Sequence, residues 1–220
     1  MSRPRIALTA DLMLRAYSVG LFPMAQSADT DELAWFDPDP RGILPLDSFH
    51  LPHRLSRTVR SARYRVTADR DFDATIANCA EATAERPNTW INGTIHRIFS
   101  ELHEAGFAHS VEVWQEDALV GGLYGVALGG AFFGESMFSR ARDASKVALV
   151  HLVARLKHCG FTLLDTQFVT EHLAQFGATQ IPRGEYRRRL AQALRTPAEF
   201  HCAGMEDAVG SLVQSTTDKS

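Results

Sequence analysis

Cysteine is scarce: only Cys79, Cys159 and Cys202 occur, odd in number and far apart. Neither a disulfide framework nor a CxxC metal knuckle is expected from them, and a reducing cytoplasm fits such a chain best. No apolar run approaches the ~20 residues that a membrane helix needs, so a soluble protein with no membrane partner is expected. The first residues, Met1 to Leu14, carry basic side chains but no sustained apolar core followed by a small-residue cleavage site, which argues against a signal peptide. Positive charge is not in excess either. Lys and Arg number 23 against 26 Asp and Glu, a net charge of −3, so bulk charge cannot hold this protein on nucleic acid, although a local basic patch can. The pairs Gly121-Gly122 and Gly129-Gly130 are not followed by GK[ST] and open no helix, so they read as turns or bulges and not as a phosphate loop. Among nine histidines there is no HExxH or HxH spacing, and no metal is expected. Gly134-Glu135-Ser136-Met137-Phe138 lacks the closing glycine of a nucleophile elbow, which argues against a serine hydrolase.

What is present is a long succession of ordinary elements. At 220 residues the chain suffices for one domain, or one with a small appendage. A helix is expected over Thr9 to Gly20, then Pro-rich loop and turn at Leu21 to Met24 and Ala34 to Gly42. His53 to Arg65 concentrates positive charge, with Leu55 and Val59 four apart to face inward. A strand at Tyr64 to Ala68 and helices at Asp71 to Arg86 and Thr94 to Ala105 follow. Three strands, His109 to Trp114, Ala118 to Leu128 and one beginning at Ala131, should form an antiparallel meander. Asp143 is placed to N-cap a helix over Ala144 to Cys159, with Gly160 just past its end. The strand Phe161 to Leu164 comes next, then a short helix capped by Thr170, a strand at Ala178 to Pro182 and a basic helix at Arg183 to Leu194. Beyond Thr196 the periodicity dissolves, and Gln214 to Ser220 reads as a disordered polar tail. The class is α+β, a mixed and mainly antiparallel sheet with one parallel β-helix-β unit.

That unit concentrates the chemistry. Glu135 lies within the apolar run Ala131 to Phe138, where a lone charge is costly unless paired or used. The next strand ends in Asp165-Thr166-Gln167, and a crossover helix brings parallel neighbours together, so Glu135 and Asp165 should approach one region. Arg54, Arg57 and Arg60 lie three apart with no acids between them, which fits a phosphate-binding ridge and equally a solvated helix face. Trp35, flanked by turn residues, suits ligand stacking as well as it suits a core. The strand order also suggests the acetyltransferase fold, yet the turn Arg140 to Ser145 lacks the glycines that admit a pyrophosphate. On the residues alone, an acetyl-CoA-dependent N-acetyltransferase and a non-catalytic RNA-binding protein both stay open.

Several co-linear motifs then carry a resemblance. Tyr17-x-x-Gly20-x-Phe22-Pro23, Trp35-Phe36-x-Pro38-x-x-Arg41-Gly42, Thr89-Trp90-Ile91, His109-Ser110-Val111-Glu112-x-Trp114, Gly134 to Ser139, Ala144-Ser145-Lys146, Asp165-x-Gln167 and His172-Leu173-x-x-x-Gly177-Ala178 together resemble the leucyl/phenylalanyl-tRNA–protein transferase family from about Leu14 to Leu190. The resemblance implies a small N-terminal domain (1–63), an acetyltransferase-like catalytic domain (64–200) and a partly disordered tail (201–220). It implies a cytoplasmic monomer without cofactor or metal. Its donor is the 3′ acceptor end of aminoacyl-tRNA, and its acceptor is the free N-terminus of a protein or peptide. Leucine or phenylalanine, and less readily methionine, goes to an N-terminal Arg or Lys and creates a degradation signal; related enzymes accept acidic N-termini. Asp165, Gln167 and Glu135 are implied as catalytic. Trp35, Trp90 and Phe99 are implied as contacts of the aminoacyl-adenosine. Leu123, Phe132 and Met137 are implied as the side-chain pocket, and Arg54, Arg57, Arg60 and Arg63 as the tRNA-backbone patch. Phe132 and Met137 differ by five and face opposite ways in a regular strand, so the pocket requires a bulge between them unless one is core.

Overall fold

The computed structural model describes residues 8–27, 30, 33–61, 63–82 and 88–217. Helix α1 (Ala10–Ser18) begins where Thr9 Oγ1 accepts the Leu12 N–H at 3.2 Å, and the chain leaves it through Gly20 at φ 88°. A small antiparallel pair follows, β1 (Phe22–Ala25) and β2 (Leu33–Phe36), with Pro23 opposite Trp35. The expectation of loop here is corrected. Proline is tolerated because each strand of a two-stranded ribbon is an edge. The next strand, β3 (Arg41–Ile43), replaces the turn expected through Gly42 and enters the main sheet.

After α2 (His53–Arg60) come β4 (Arg65–Ala68), α3 (Phe72–Ala80) and α4 (Gly93–Glu104). Helix α3 ends at Ala80, short of the expected Arg86, and 83–87 lie outside the described residues. The meander is β5 (Ala108–Gln115), β6 (Ala118–Leu128) and β7 (Ala131–Ser139). Helix α5 (Ala144–His158) crosses over to β8 (Leu163–Gln167), which pairs parallel to β7. Asp143 precedes α5 at φ 63° but makes no side-chain cap bond; the first-turn N–H of Ser145 goes to Ser139 Oγ at 3.3 Å instead. The short helix α6 (Glu171–Ala174), capped by Thr170, the strand β9 (Thr179–Ile181) and α7 (Arg183–Ala193) follow as expected.

The sheet runs β4-β5-β6-β7-β8-β3-β9, and only β7–β8 is parallel. Its two faces carry two apolar clusters. On one, α5 buries Val147, Val150 and Leu156 together with Leu123 and Phe132. On the other, Met13, Ile76, Ile98 and Tyr186 from α1, α3, α4 and α7 meet Tyr124 and Phe133. This is the mixed, mainly antiparallel α+β sheet of the expected class.

The C-terminal region departs from expectation. It forms α8 (Ala208–Thr217), which buries Ala208, Leu212 and Val213 against α5. The four- and five-residue spacing of these apolar positions makes the helix, and the polar Gln214, Ser215 and Thr216 disguised it. Residues 218–220 lie outside the described residues. A disulfide also joins Cys159 and Cys202, whose Cα atoms are 5.6 Å apart. The expectation of no disulfide fails because Phe200, packed on Phe132, returns the chain to the end of α5 across 43 residues of sequence. Cys79 is buried and takes no part.

Candidate active site

The parallel pairing of β7 and β8 stops at Phe133 opposite Asp165, and beyond that point no register joins the strands. Where they part, a cavity of about 1130 Å³ opens, lined by Gly134 to Ser139 of β7 and by Thr166 to Phe168. The first two turns of α5 contribute Ser145 and Leu149 to its wall, and Phe22, Met24 and Trp90 contribute from the N-terminal half.

Glu135 sits at a break in the ladder. Tyr124 pairs with Ser136 and Gly125 with Gly134, which leaves Glu135 as the extra residue of a bulge. The bulge aims its carboxylate into the cavity. It also resolves the five-residue problem, because skipping one position puts Phe132 and Met137 on the same face, opposite Ala127 and Leu123. Gly125 is needed across from the bulge: a Cβ there would lie 2.2 Å from the Phe133 carbonyl oxygen and 2.5 Å from the Phe132 ring.

Two groups converge on this carboxylate. Tyr17 Oη donates to Oε1 at 2.7 Å and Gln167 Nε2 donates to the same oxygen at 3.2 Å. Burial pushes the Glu135 carboxyl up to about 8; the Tyr17 hydrogen bond works against this, Asp165 adds to it and Arg41 offsets it. Tyr17 is itself held far above its ordinary value, first by burial and then by the charge of Glu135, so it stays a donor. No hydrogen bond among the described residues uses Oε2 of Glu135.

Asp165 occupies a different place. It is fully buried, and Arg41 clamps it with Nε at 3.0 Å from Oδ1 and Nη2 at 2.7 Å from Oδ2. Tyr186 Oη donates to Oδ2 at 2.7 Å, and the backbone N–H of Gln167 donates to Oδ1 at 2.8 Å. Arg41 lies with its guanidinium over the rings of Phe22 and Tyr186 and donates to the Gly20 carbonyl at 2.8 Å. Asp165 therefore touches Gln167 through its backbone, while the Gln167 side chain turns to Glu135. Gln167 has φ 56°, a left-handed conformation that the Asp165 bond helps to hold.

The residues expected to form the site are thus divided. Glu135, Gln167, Trp90, Leu123 and Met137 line the cavity. Asp165 stands behind it. Phe99 is not among the lining residues: its ring is fully buried against the Tyr124 ring, 5.1 Å away, and Tyr124 does line the cavity. Phe132 is likewise core, packed between Phe161 and Phe200 and outside the cavity. Trp35 is 41% exposed on β2, beside the Phe22 and Met24 positions that line the cavity. Arg54, Arg57, Arg60 and Arg63 are exposed on and just after α2, which packs on α5 through Leu55 and Val59. Among the described residues no acid pairs with Arg54, Arg57 or Arg63, whereas Arg183, Arg187, Arg188 and Arg189 of α7 are all tied to Asp37, Asp39 or Glu185.

Sequence reading gave no role to Arg41, Tyr17 or Tyr186, although Tyr17 and Arg41 stand in the quoted motifs. No local signal marks Arg41, whose burial comes from partners distant in the chain. Two more atoms were missed: Thr166 Oγ1 and His172 Nε2 are buried without a hydrogen-bond partner among the described residues, and both side chains belong to the cavity wall.

Comparison with known proteins shows the family. The profile described as leucyl/phenylalanyl-tRNA protein transferase matches residues 43–191, and that of the family's N-terminal domain matches residues 7–39. A leucyl/phenylalanyl-tRNA–protein transferase of Paramagnetospirillum magneticum is 65% identical over 88% of this chain and 92% of its own length. Proteins of the same name from Caulobacter vibrioides and Maricaulis maris are 58% and 54% identical, over 89% and 96% of this chain and 90% and 98% of their own. Among solved structures, FemX aligns with a TM-score of 0.49 at 13% identity, over 83% of this chain and 65% of that one. The chain belongs to the leucyl/phenylalanyl-tRNA–protein transferase family.

Proposed function

We propose that the protein transfers leucine or phenylalanine from the 3′ end of aminoacyl-tRNA to the N-terminal α-amino group of an acceptor protein, in the cytoplasm. The observation that carries the reading beyond family membership is the bulged Glu135, held between Tyr17 and Gln167 and facing the cavity with one oxygen that no hydrogen bond among the described residues uses. The donor is an activated ester, so the chemistry needed is small. An α-amine of pKa ~8 must lose a proton, and a carboxylate pushed up to about 8 is matched to receive it. The amine nitrogen then bonds to the ester carbon and the bond to the ribose oxygen breaks. The nitrogen sheds two protons in all: the ammonium proton, which Glu135 takes before attack and passes to solvent, and a second that Glu135 takes as the amide forms and returns to the ribose oxygen.

In this reading Gln167 orients the amine through its side-chain carbonyl, since its NH₂ is held by Glu135. Asp165 and Arg41 act as positioning residues that fix the Gln167 backbone. Leu123 and Met137 receive the transferred side chain, where branched or aromatic groups gain by burial. Trp35 and Trp90 stack on the terminal adenosine, and the arginines around α2 meet the acceptor stem. Glu171 at the cavity wall, which no basic residue pairs with among the described residues, favours an acceptor that begins with Arg or Lys.

The test incubates the protein with leucyl-, phenylalanyl- and methionyl-tRNA and with peptides beginning in Arg, Lys, Asp, Glu or Ala, and reads product mass. Addition of Leu or Phe to the Arg and Lys peptides is expected. Transfer confined to the Asp and Glu peptides would replace the acceptor assignment, and mass gain only with acetyl-CoA would replace the donor.

A further inference from the structure

Away from the cavity, three side chains from distant parts of the chain meet at one point. Asp69 follows β4 at φ 55°, His109 is on β5 and His201 belongs to the segment that leads to α8. Asp69 Oδ2 lies 2.7 Å from His109 Nδ1 and 2.6 Å from His201 Nε2, and the three atoms all lie within 4.8 Å of one another. We propose that Asp69, His109 and His201 form a site for a divalent cation of the zinc class, which pins the C-terminal segment to the sheet.

The donor set is two imidazole nitrogens and one carboxylate oxygen, the set that suits zinc and its neighbours better than magnesium or calcium. Bonds of roughly 2.0–2.2 Å to such an ion place its ligand atoms about 3.3–3.6 Å apart, so the two Asp69 spacings need to open by at most ~1 Å and the two imidazole nitrogens, within 4.8 Å of each other, need to close by no more than ~1.5 Å. The ligands are held from behind. Asp69 Oδ1 accepts the Ser110 N–H at 2.7 Å, which leaves Oδ2 for the shared position. The His109 ring stacks on Phe200 with centroids 4.1 Å apart, and Phe200 is the neighbour of His201. The His109 side chain is 8% exposed and that of His201 55%, so one ligand is rooted in the fold and the other leaves a route for the ion.

The charges are favourable on balance. The cation displaces the two imidazole protons that now share Oδ2. Arg155, whose Nη1 donates to the Phe200 carbonyl at 2.8 Å, opposes it; buried Glu112, bound by Ser110 and Thr67, offsets Arg155. The role follows from the surroundings. The same segment is tied down by the Cys159–Cys202 disulfide and by the contact of His158 Nε2 with the Ala203 carbonyl at 2.9 Å, so an ion here completes a clasp and does not enter the transfer chemistry.

The experiment uses the full chain, stripped with a chelator and titrated with zinc in competition with a chromogenic chelator, while the zinc-induced rise in Tm is followed in parallel. One equivalent is expected to bind and to raise Tm. His201→Ala, at an exposed position, should weaken binding at least about tenfold and abolish the rise in Tm. His53→Ala, exposed and not part of the cluster, should leave both unchanged. Because reduced thiols also bind zinc, the titration is repeated with Cys159→Ser and Cys202→Ser together, and the equivalent should persist. Binding below one equivalent, equal affinity in His201→Ala, or loss of binding only in the double-cysteine variant overturns the proposal.

Discussion

Asp165 Oδ1 receives the backbone N–H of Gln167 at 2.8 Å, and this bond joins a buried ion pair to the one residue of β8 that turns its side chain to Glu135. Asp165 and Arg41 are both fully buried, and every polar contact between them is matched by a further one to Tyr186, Gly20 or Gln167. A pair so placed gives a geometry more than it gives stability, because two desolvated charges gain little over an apolar replacement but cannot be separated cheaply.

Asp165→Asn should therefore destabilise the protein by about 3–5 kcal/mol, since it leaves the Arg41 charge buried without its counterion. Urea unfolding measures this. The folded fraction should also lose transfer activity while keeping its affinity for aminoacyl-tRNA, as expected of a residue that acts through Gln167. A loss under about 1 kcal/mol would mean that water or a neighbour compensates Arg41, and the positioning role would lapse.

Glu135 gives a prediction whose sign can be worked out. Its carboxyl is raised from an ordinary 4.5 to about 8 in the folded protein, first by burial. The folded state thus holds a proton that the unfolded chain gives up. The stability linked to it is fully present below pH 4.5 and is lost as pH rises through 8. Glu135→Gln removes the linkage, so the variant should gain on the natural protein steadily between these limits when Tm is followed against pH. Parallel curves would show that the carboxyl is not raised. In the transfer assay the same variant should fall by roughly 10²- to 10⁴-fold if the carboxylate carries the proton.

Much of this was legible because periodicity reports burial. The meander, the β7-α5-β8 crossover and α7 all follow from apolar spacing and glycine stops. The sequence left two outcomes open for Phe132 and Met137, a bulge between them or a core place for one, and the structure has both. The strands β1 and β3 were not legible, for they are short, carry Pro23 or border Asp37 to Pro40, and exist only because partners arrive from elsewhere. Long-range pairing is invisible to local pattern for the same reason, and this hid Arg41–Asp165, Tyr17–Glu135 and Cys159–Cys202, separated by 124, 118 and 43 residues. Phe99 and Phe132 show the converse. A resemblance carries over a motif position, and whether the side chain points to the substrate or to the core is decided by packing.

The two kinds of aromatic residue should separate in experiment. Trp35→Ala and Trp90→Ala remove exposed or cavity-lining rings, and loss of a base stack of about 1–3 kcal/mol should raise KM for aminoacyl-tRNA roughly 5- to 150-fold with little change in Tm. Phe99→Ala instead empties a core position and should cost about 3–5 kcal/mol of stability. A tryptophan variant with unchanged KM would remove that ring from the adenosine contact.

The arginines around α2 should reveal themselves through salt. Each side chain that neutralises a phosphate contributes roughly 0.7–0.9 to the slope of log affinity against log salt. Replacing Arg54, Arg57 and Arg63 together by Ala should flatten that slope by about 2–3 and weaken tRNA binding, while leaving the Tm almost unchanged because all three are exposed. The arginines of α7 provide the control. Arg188 and Arg189 are held by Glu185 within their own helix, so their charge is already answered, and Ala at both should leave the slope where it was. If the control flattens the slope and the α2 variant does not, the tRNA lies along α7, and the partnering of surface charge has failed as a guide to its path.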